Sequence, residues 1–150
     1  MFKLIATLLV IGSITSLGKT GKETILNLIN SVKYTITGNE LVEIDQALQR
    51  HEIMEAVDAG SSKAYPADEE FKQFMEGNFT SKGGLRKVGK DFWDNDLCYH
   101  RSENGYEIRS FGPDKQSETQ DDLYLIRDGD NMKRGLGLLE NKMSICETGL

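Results

Sequence analysis

The chain has 150 residues, 28% of them charged and 38% hydrophobic, a balance that supports one modest domain plus an N-terminal extension. Its formal net charge of -6 argues against a nucleic-acid surface, which needs clustered cations to displace counterions, and suits cation binding instead. Two cysteines, Cys98 and Cys146, are too few for a disulfide scaffold and lack zinc spacing; they leave either one disulfide in an exported chain or two unpaired thiols.

At the N-terminus, Lys3 precedes an uncharged apolar run from Leu4 to Gly18. That run falls short of the ~20 residues that cross a bilayer unaided. A basic start, a short apolar stretch and the small-x-small sequence Ser16-Leu17-Gly18 match a secretory signal; a membrane anchor is the other reading, and both imply export. A buried N-terminal helix of a cytosolic domain is the bland alternative. The expected division is an anchor or signal segment over 1–18 and a folded remainder over 19–150.

After a polar break from Gly18 to Lys22, Ile25, Leu28, Ile29 and Val32 recur at helical spacing. Gly38-Asn39 interrupts the pattern. Leu41, Ile44, Leu48 and Met54 resume it, with Glu40, Glu43, Asp45, Gln46, Gln49 and Arg50 on other faces. This predicts an amphipathic helix over about 39–57, joined through a weak point to a helix before it. Ala59-Gly60-Ser61-Ser62 ends it. Pro66-Ala67-Asp68-Glu69-Glu70 opens a second, short helix through Met75, with proline and acids where a helix start favours them. Phe71, Phe74 and Met75 form its expected buried stripe.

Beyond residue 80 the pattern changes. Leu97-Cys98-Tyr99-His100 reads as a short strand, Glu103-Asn104-Gly105 as a turn, and Tyr106 to Phe111 alternates with period two. Leu123 to Ile126 is a third strand, and Asp128-Gly129-Asp130-Asn131 reads as a turn. The Gly-rich segment from Arg134 to Leu150 gives no clear element. So small a meander cannot bury its face alone, so it must pack on the helix, which gives an α+β fold.

The candidate chemistry is sparse. His51 and His100 come with no nucleophile in a recognisable local motif, so no enzyme is expected. Trp93 reads as core packing against the long helix, with an exposed partner anchor as the sharper alternative. Lys82, Arg86, Lys87 and Lys90 read as a solvated loop. Asp114, Glu118, Asp121 and Asp122 fall between two strand candidates. Such a loop is usually a solvated face, yet it also offers the carboxylates and main-chain carbonyls that a hard cation collects.

Several segments together resemble one family. Phe2-Lys3-Leu4-Ile5 and Leu8-Leu9-Val10-Ile11 look like the start of a mature pseudopilin. Leu41 to Leu48 resembles a helix that leads to a Tyr-Pro loop, supplied here by Tyr65-Pro66. Asp91-Phe92-Trp93-Asp94-Asn95 resembles an Asp-Pro-Trp-Gly-Asn motif, Tyr106 to Asp114 a strand leading to a Gly-Ala-Asp-Gly turn, and Asp121-Asp122 the closing acidic pair of a calcium loop. These are features of the major pseudopilin of type II secretion, in the type IV pilin-like superfamily. The chain departs from that pattern at Met1, where a glycine precedes the phenylalanine, at Ala6, where pilin-like proteins carry a glutamate, and at Lys115, where a glycine follows the first aspartate. The first two departures fit a minor, capping or accessory subunit better than the major one.

The resemblance implies a type IV pilin-like fold: a long N-terminal α-helix packed on a small antiparallel sheet with a calcium loop. It implies Ca2+ held by side-chain oxygens of Asp114 and Asp122, with Asp121 as an alternative donor, and by main-chain oxygens of Phe111, Gln116 and Gln120. It also implies a structural, non-enzymatic subunit in protein export, single-pass in the bacterial inner membrane with a periplasmic head. Its partners would be other pseudopilins or secretion-system subunits, met through the N-terminal helix, with no nucleic acid and no small-molecule substrate. The alternative is a soluble exported calcium-binding module, periplasmic or secreted after signal cleavage, with the same head fold but no place in a filament.

Overall fold

The computed structural model describes residues 19–59, 65–80 and 86–137. The expected segment 1–18 and the part of the Gly-rich segment from Leu138 onward lie outside the described residues. Helix α1 spans Lys19–Ala59, a 3-10 turn spans Asp68–Glu70, and helix α2 spans Phe71–Asn78. Strands β1 (Cys98–Arg101), β2 (Gly105–Ser110), β3 (Leu123–Asp128) and β4 (Asn131–Leu136) follow. They form one antiparallel sheet in the order β1-β2-β3-β4. The chain is therefore α+β. It divides into two compact units, one ending at Thr35 and one starting at Ile36.

Of the first unit the described part is helix, from Lys19 to Thr35. Leu26, Leu28 and Val32 are each more than half exposed there. Ser31 and Thr35 donate their hydroxyls to the carbonyls of Asn27 and Ser31, four residues back, so both polar groups are satisfied within the helix. Among the described residues, no helix is long and apolar enough to cross a membrane.

The second unit holds the core. Leu41, Ile44, Ala47 and Leu48 lie on one stripe of α1, at the three- and four-residue spacing of a buried helix face. They pack with Phe71, Phe74 and Met75 of α2, with Tyr65, and with Tyr99, Tyr106, Ile108 and Leu125 of the sheet. Aromatic rings stitch the layers: Phe71 stacks on Tyr99 with centroids 4.2 Å apart, and Tyr65 meets Tyr106 edge-on at 4.7 Å. Tyr99 also donates its hydroxyl to the Pro66 carbonyl at 3.0 Å, which fixes the entry to α2.

The weak point expected at Gly38-Asn39 is absent; α1 runs straight through it. A glycine costs a helix about 1 kcal/mol against alanine, and the burial of Thr37, Glu40, Leu41 and Ile44 around and after it outweighs that. Met54 does not continue the buried stripe. It is exposed together with Ile53 and Val57, and the inward position is Glu52, which hydrogen-bonds Tyr65.

Two acids assigned to the solvent faces of α1 are buried. Asp45 receives Arg127 of β3 through two bonds, Nε to Oδ1 at 3.0 Å and Nη2 to Oδ2 at 2.6 Å. Tyr106 donates its hydroxyl to the same Oδ1 at 2.7 Å. Glu40 pairs with Arg86. The buried face of α1 is thus wider than its apolar stripe, because arginines from distant segments neutralise its carboxylates.

Alternation with period two leaves one face of a strand polar, here Glu107 and Arg109, yet every residue of β2 is buried. Glu107 and Arg109 pair with each other. Strand β4 had no expectation attached to it. It pairs with β3 along its whole length, from Asp128↔Asn131 to Leu123↔Leu136, through a turn in which Gly129 takes φ 56. Cys98 on β1 is disulfide-bonded; the chain's other cysteine, Cys146, lies outside the described residues.

Candidate metal centre

The segment between β2 and β3 curls back on itself. Gly112, Lys115 and Glu118 all adopt left-handed backbone, with φ of 60, 61 and 61. At Gly112 the need is steric as well, since an added Cβ would fall 2.4 Å from the Asp121 main-chain oxygen and 2.8 Å from its Oδ2. Lys115 and Glu118 accept this conformation despite their side chains, a local strain of the kind that surrounding structure must hold in place.

The curl brings three acids together. One carboxylate oxygen from each of Asp114, Asp121 and Asp122 lies within 4.8 Å of the others. Asp114 is exposed, Asp121 half-buried and Asp122 fully buried. Asp114 Oδ1 accepts the Gln116 amide at 2.8 Å, and the Asp114 amide donates to Asp121 Oδ2 at 3.1 Å. The Thr119 hydroxyl stands between the other two, 2.6 Å from Asp121 Oδ1 and 3.2 Å from Asp122 Oδ1. Asp122 Oδ2 is held from below by the Glu118 amide at 2.8 Å and by Arg109 Nη1 at 3.1 Å. Arg109 in turn donates its Nε to Glu107 Oε1 at 2.8 Å.

The electrostatics follow from burial and these donors. Burial pushes the Asp122 carboxyl up, against the pull of the Glu118 amide, Thr119 and Arg109. Burial acts upward on Asp121 too, but hydrogen bonds from Thr119 and the Asp114 amide outweigh it and hold this carboxyl below its usual range. Among the described residues no ion pair reaches Asp114 or Asp121, and Lys115 is exposed to solvent. Three converging carboxylates with one guanidinium behind them form a site short of positive charge. All the donors are oxygen, with no histidine or cysteine among them, a set that a hard cation could take.

Of the residues expected to hold the ion, Asp114, Asp121 and Asp122 are brought together. The Gln116 carbonyl accepts the Thr119 hydroxyl at 3.4 Å, and the Gln120 carbonyl faces Gly137, where an added Cβ would sit 3.6 Å away. Phe111 is half-buried at the start of the curl. Thr119 and Arg109 were not anticipated. Thr119 sits two and three residues before the acidic pair, a spacing visible in the sequence; Arg109 acts across the sheet and left no local signal.

The Asp91–Asn95 turn differs from its expectation. Trp93 is half-buried and outside the hydrophobic cluster, and Phe92 is exposed with the Arg86 guanidinium 4.8 Å from its ring centre. The buried member is Asp91, with no exposed surface. Its carboxylate accepts the amides of Trp93 and Asn95 and the Asn95 Nδ2, each at 2.9 Å, and the Ser110 hydroxyl at 2.6 Å. Asn95 Nδ2 also donates to the Gly112 carbonyl at 2.7 Å. An aspartate that takes the main-chain amides two and four residues on closes a turn upon itself, and the aspartate residue is its one local trace in the sequence.

The two histidines have separate partners: His51 packs on Phe74 at 5.4 Å, and His100 pairs with Asp68 at 3.0 Å. Of the basic group, Arg86 pairs with Glu40 and Lys90 with Asp96, while Lys82 lies outside the described residues. No protein-family model, curated protein or solved structure matches the chain.

Proposed function

We propose that the chain is a pseudopilin-like structural subunit of a type II secretion or related pilus-like assembly, whose acidic loop binds Ca2+. The observation that carries this reading is the convergence of Asp114, Asp121 and Asp122 in the loop joining β2 to β3. Helix first, sheet second, and an acidic loop between central strands is also the order that the family resemblance requires. Bound Ca2+ would supply positive charge and gather oxygen ligands; it would carry no reaction.

Asp114 and Asp122 supply side-chain oxygens, with Asp121 beside them, and Phe111, Gln116 and Gln120 supply main-chain oxygens. Arg109 and the Glu118 amide keep Asp122 Oδ2 in place, which leaves Oδ1 facing Thr119 and Asp121. Without a cation, like charges push the loop open; with one, the loop closes and braces β2 against β3. Extracellular calcium sites are typically weak, ~10⁻⁴ to 10⁻³ M, so the loop fills outside the cytoplasm and empties within it. In the assembly, lateral contacts run through the N-terminal helix, held in the inner membrane, and the head faces other subunits in the periplasm.

Thermal unfolding with and without calcium tests the loop. A hundredfold excess over the dissociation constant stabilises the wild type by about 2.7 kcal/mol. The double variant Asp114→Ala, Asp122→Ala loses that rise, and an unchanged rise rejects the assignment. The mature N-terminus tests the anchor: a chain retaining Phe2 supports the subunit, and one beginning near Lys19 supports the soluble module.

A further inference from the structure

We infer that Asn95 is the positioning residue of the acidic loop, and that the Asp91–Asn95 turn is where cation loading is felt outside the loop. This rests on the loop being a cation site. The link is a chain of direct contacts. Gly112 packs so closely on Asp121 that a Cβ there would fall 2.4 Å from its main-chain oxygen. The Gly112 carbonyl is gripped by Asn95 Nδ2 at 2.7 Å. The same Nδ2 bonds Asp91 at 2.9 Å, and Asp91 takes the Trp93 amide at 2.9 Å. A second route runs through Ser110, whose hydroxyl accepts the Gly112 amide at 3.3 Å and donates to Asp91 at 2.6 Å.

Both polar groups of Gly112 are therefore tied, one through Asn95 and one through Ser110, to the buried carboxylate of Asp91 in the preceding turn. Drawing Asp121 towards Asp114 moves Gly112, because the two are in van der Waals contact. The displaced carbonyl pulls on Asn95, and the turn bearing Phe92 and Trp93 adjusts. In the opposite direction, a rigid turn presents Gly112 and Asp121 in the arrangement a cation needs. Outer hydrogen-bond partners of metal ligands typically change affinity by about 10- to 100-fold, and Asn95, one contact further out through Gly112, is expected at the low end of that range.

Trp93 is the chain's one tryptophan and lies inside this turn, so it reports directly. Calcium is titrated into the wild type and Asn95→Ala, with binding read by calorimetry and the turn read by Trp93 fluorescence. In the wild type the fluorescence changes with the calorimetric midpoint. Asn95→Ala binds about tenfold more weakly and loses the fluorescence change. A residue that only stabilised the fold would lower unfolding temperature equally with and without calcium and leave the dissociation constant unmoved. Equal affinity and an equal fluorescence change in the variant overturn the inference while leaving the calcium loop standing. Absence of calorimetric binding in the wild type removes both. Should Asn95→Ala not fold, Ser110→Ala decides: weaker binding with a smaller fluorescence change supports the link, and wild-type behaviour overturns it.

Discussion

Replacing Asp45 with alanine removes three hydrogen bonds at once, two from Arg127 and one from the Tyr106 hydroxyl. The paired side chains are 11% and 5% exposed, so water cannot take over at either end. Removing one member of a buried pair typically costs about 3–5 kcal/mol, because the remaining charge is left uncompensated. At about 4 °C per kcal/mol the unfolding temperature falls by roughly 12–20 °C. Urea unfolding followed by circular dichroism measures the loss, with calcium chelated throughout so that the loop contributes nothing. Arg127→Met and the double variant complete the cycle, and a coupling near 2 kcal/mol is expected for groups in direct contact. A loss below about 1 kcal/mol for Asp45→Ala, the range of an exposed pair, would refute the reasoning.

Tyr65, Tyr99 and Tyr106 have hydroxyls pushed well above the usual tyrosine range, chiefly by burial, with Glu52 and Asp45 adding to the effect at Tyr65 and Tyr106. The unfolded chain releases these protons near pH 10 while the folded chain keeps them, so the stabilisation is complete below about pH 10 and is lost as pH rises further. Unfolding free energy should fall by up to about 4 kcal/mol per pH unit above that point, three protons at 1.36 each; tyrosinate absorbance exceeding two of the five tyrosines in still-folded protein would contradict it. Gly105→Ala places a Cβ 1.9 Å from the Arg127 carbonyl oxygen, a backbone atom that cannot step aside. A loss of about 3 kcal/mol is expected in urea unfolding, whereas Gly77→Ala, inside α2 with nothing within 4 Å of its Cβ, should cost nothing and gain up to about 1 kcal/mol.

Much of the fold was legible because it is written locally. Leu41, Ile44 and Leu48 repeat at helical spacing, Phe71, Phe74 and Met75 share a stripe, and three short strands show, one of them by its alternation; each lies within a residue or two of its expected place. What failed was non-local. Nothing near Asp45 or Glu40 announces that Arg127 and Arg86 come to meet them, so both acids read as solvent-facing. Glu107 and Arg109 look like the outer face of a strand until their mutual pairing is seen. The sequence Asn131-Met-Lys-Arg-Gly-Leu has little strand propensity of its own and becomes β4 by pairing with β3. At the candidate site the three aspartates were visible as an acidic loop, but Arg109, Asp91 and Asn95 support it through contacts that sequence spacing does not encode.

Strand β4 lies at one border of the described sheet, with Lys133 and Arg134 side by side along it. Successive residues of a strand leave on opposite sides, so each side of that border carries one cation. A second copy laid antiparallel against it would set its own pair against this one, and like charges at close range oppose the ladder. The border is thus guarded by repulsion, and head-to-head growth through main-chain pairing is discouraged. Whatever company the molecule keeps is steered towards its side-chain surfaces, where the choice of neighbour can be selective.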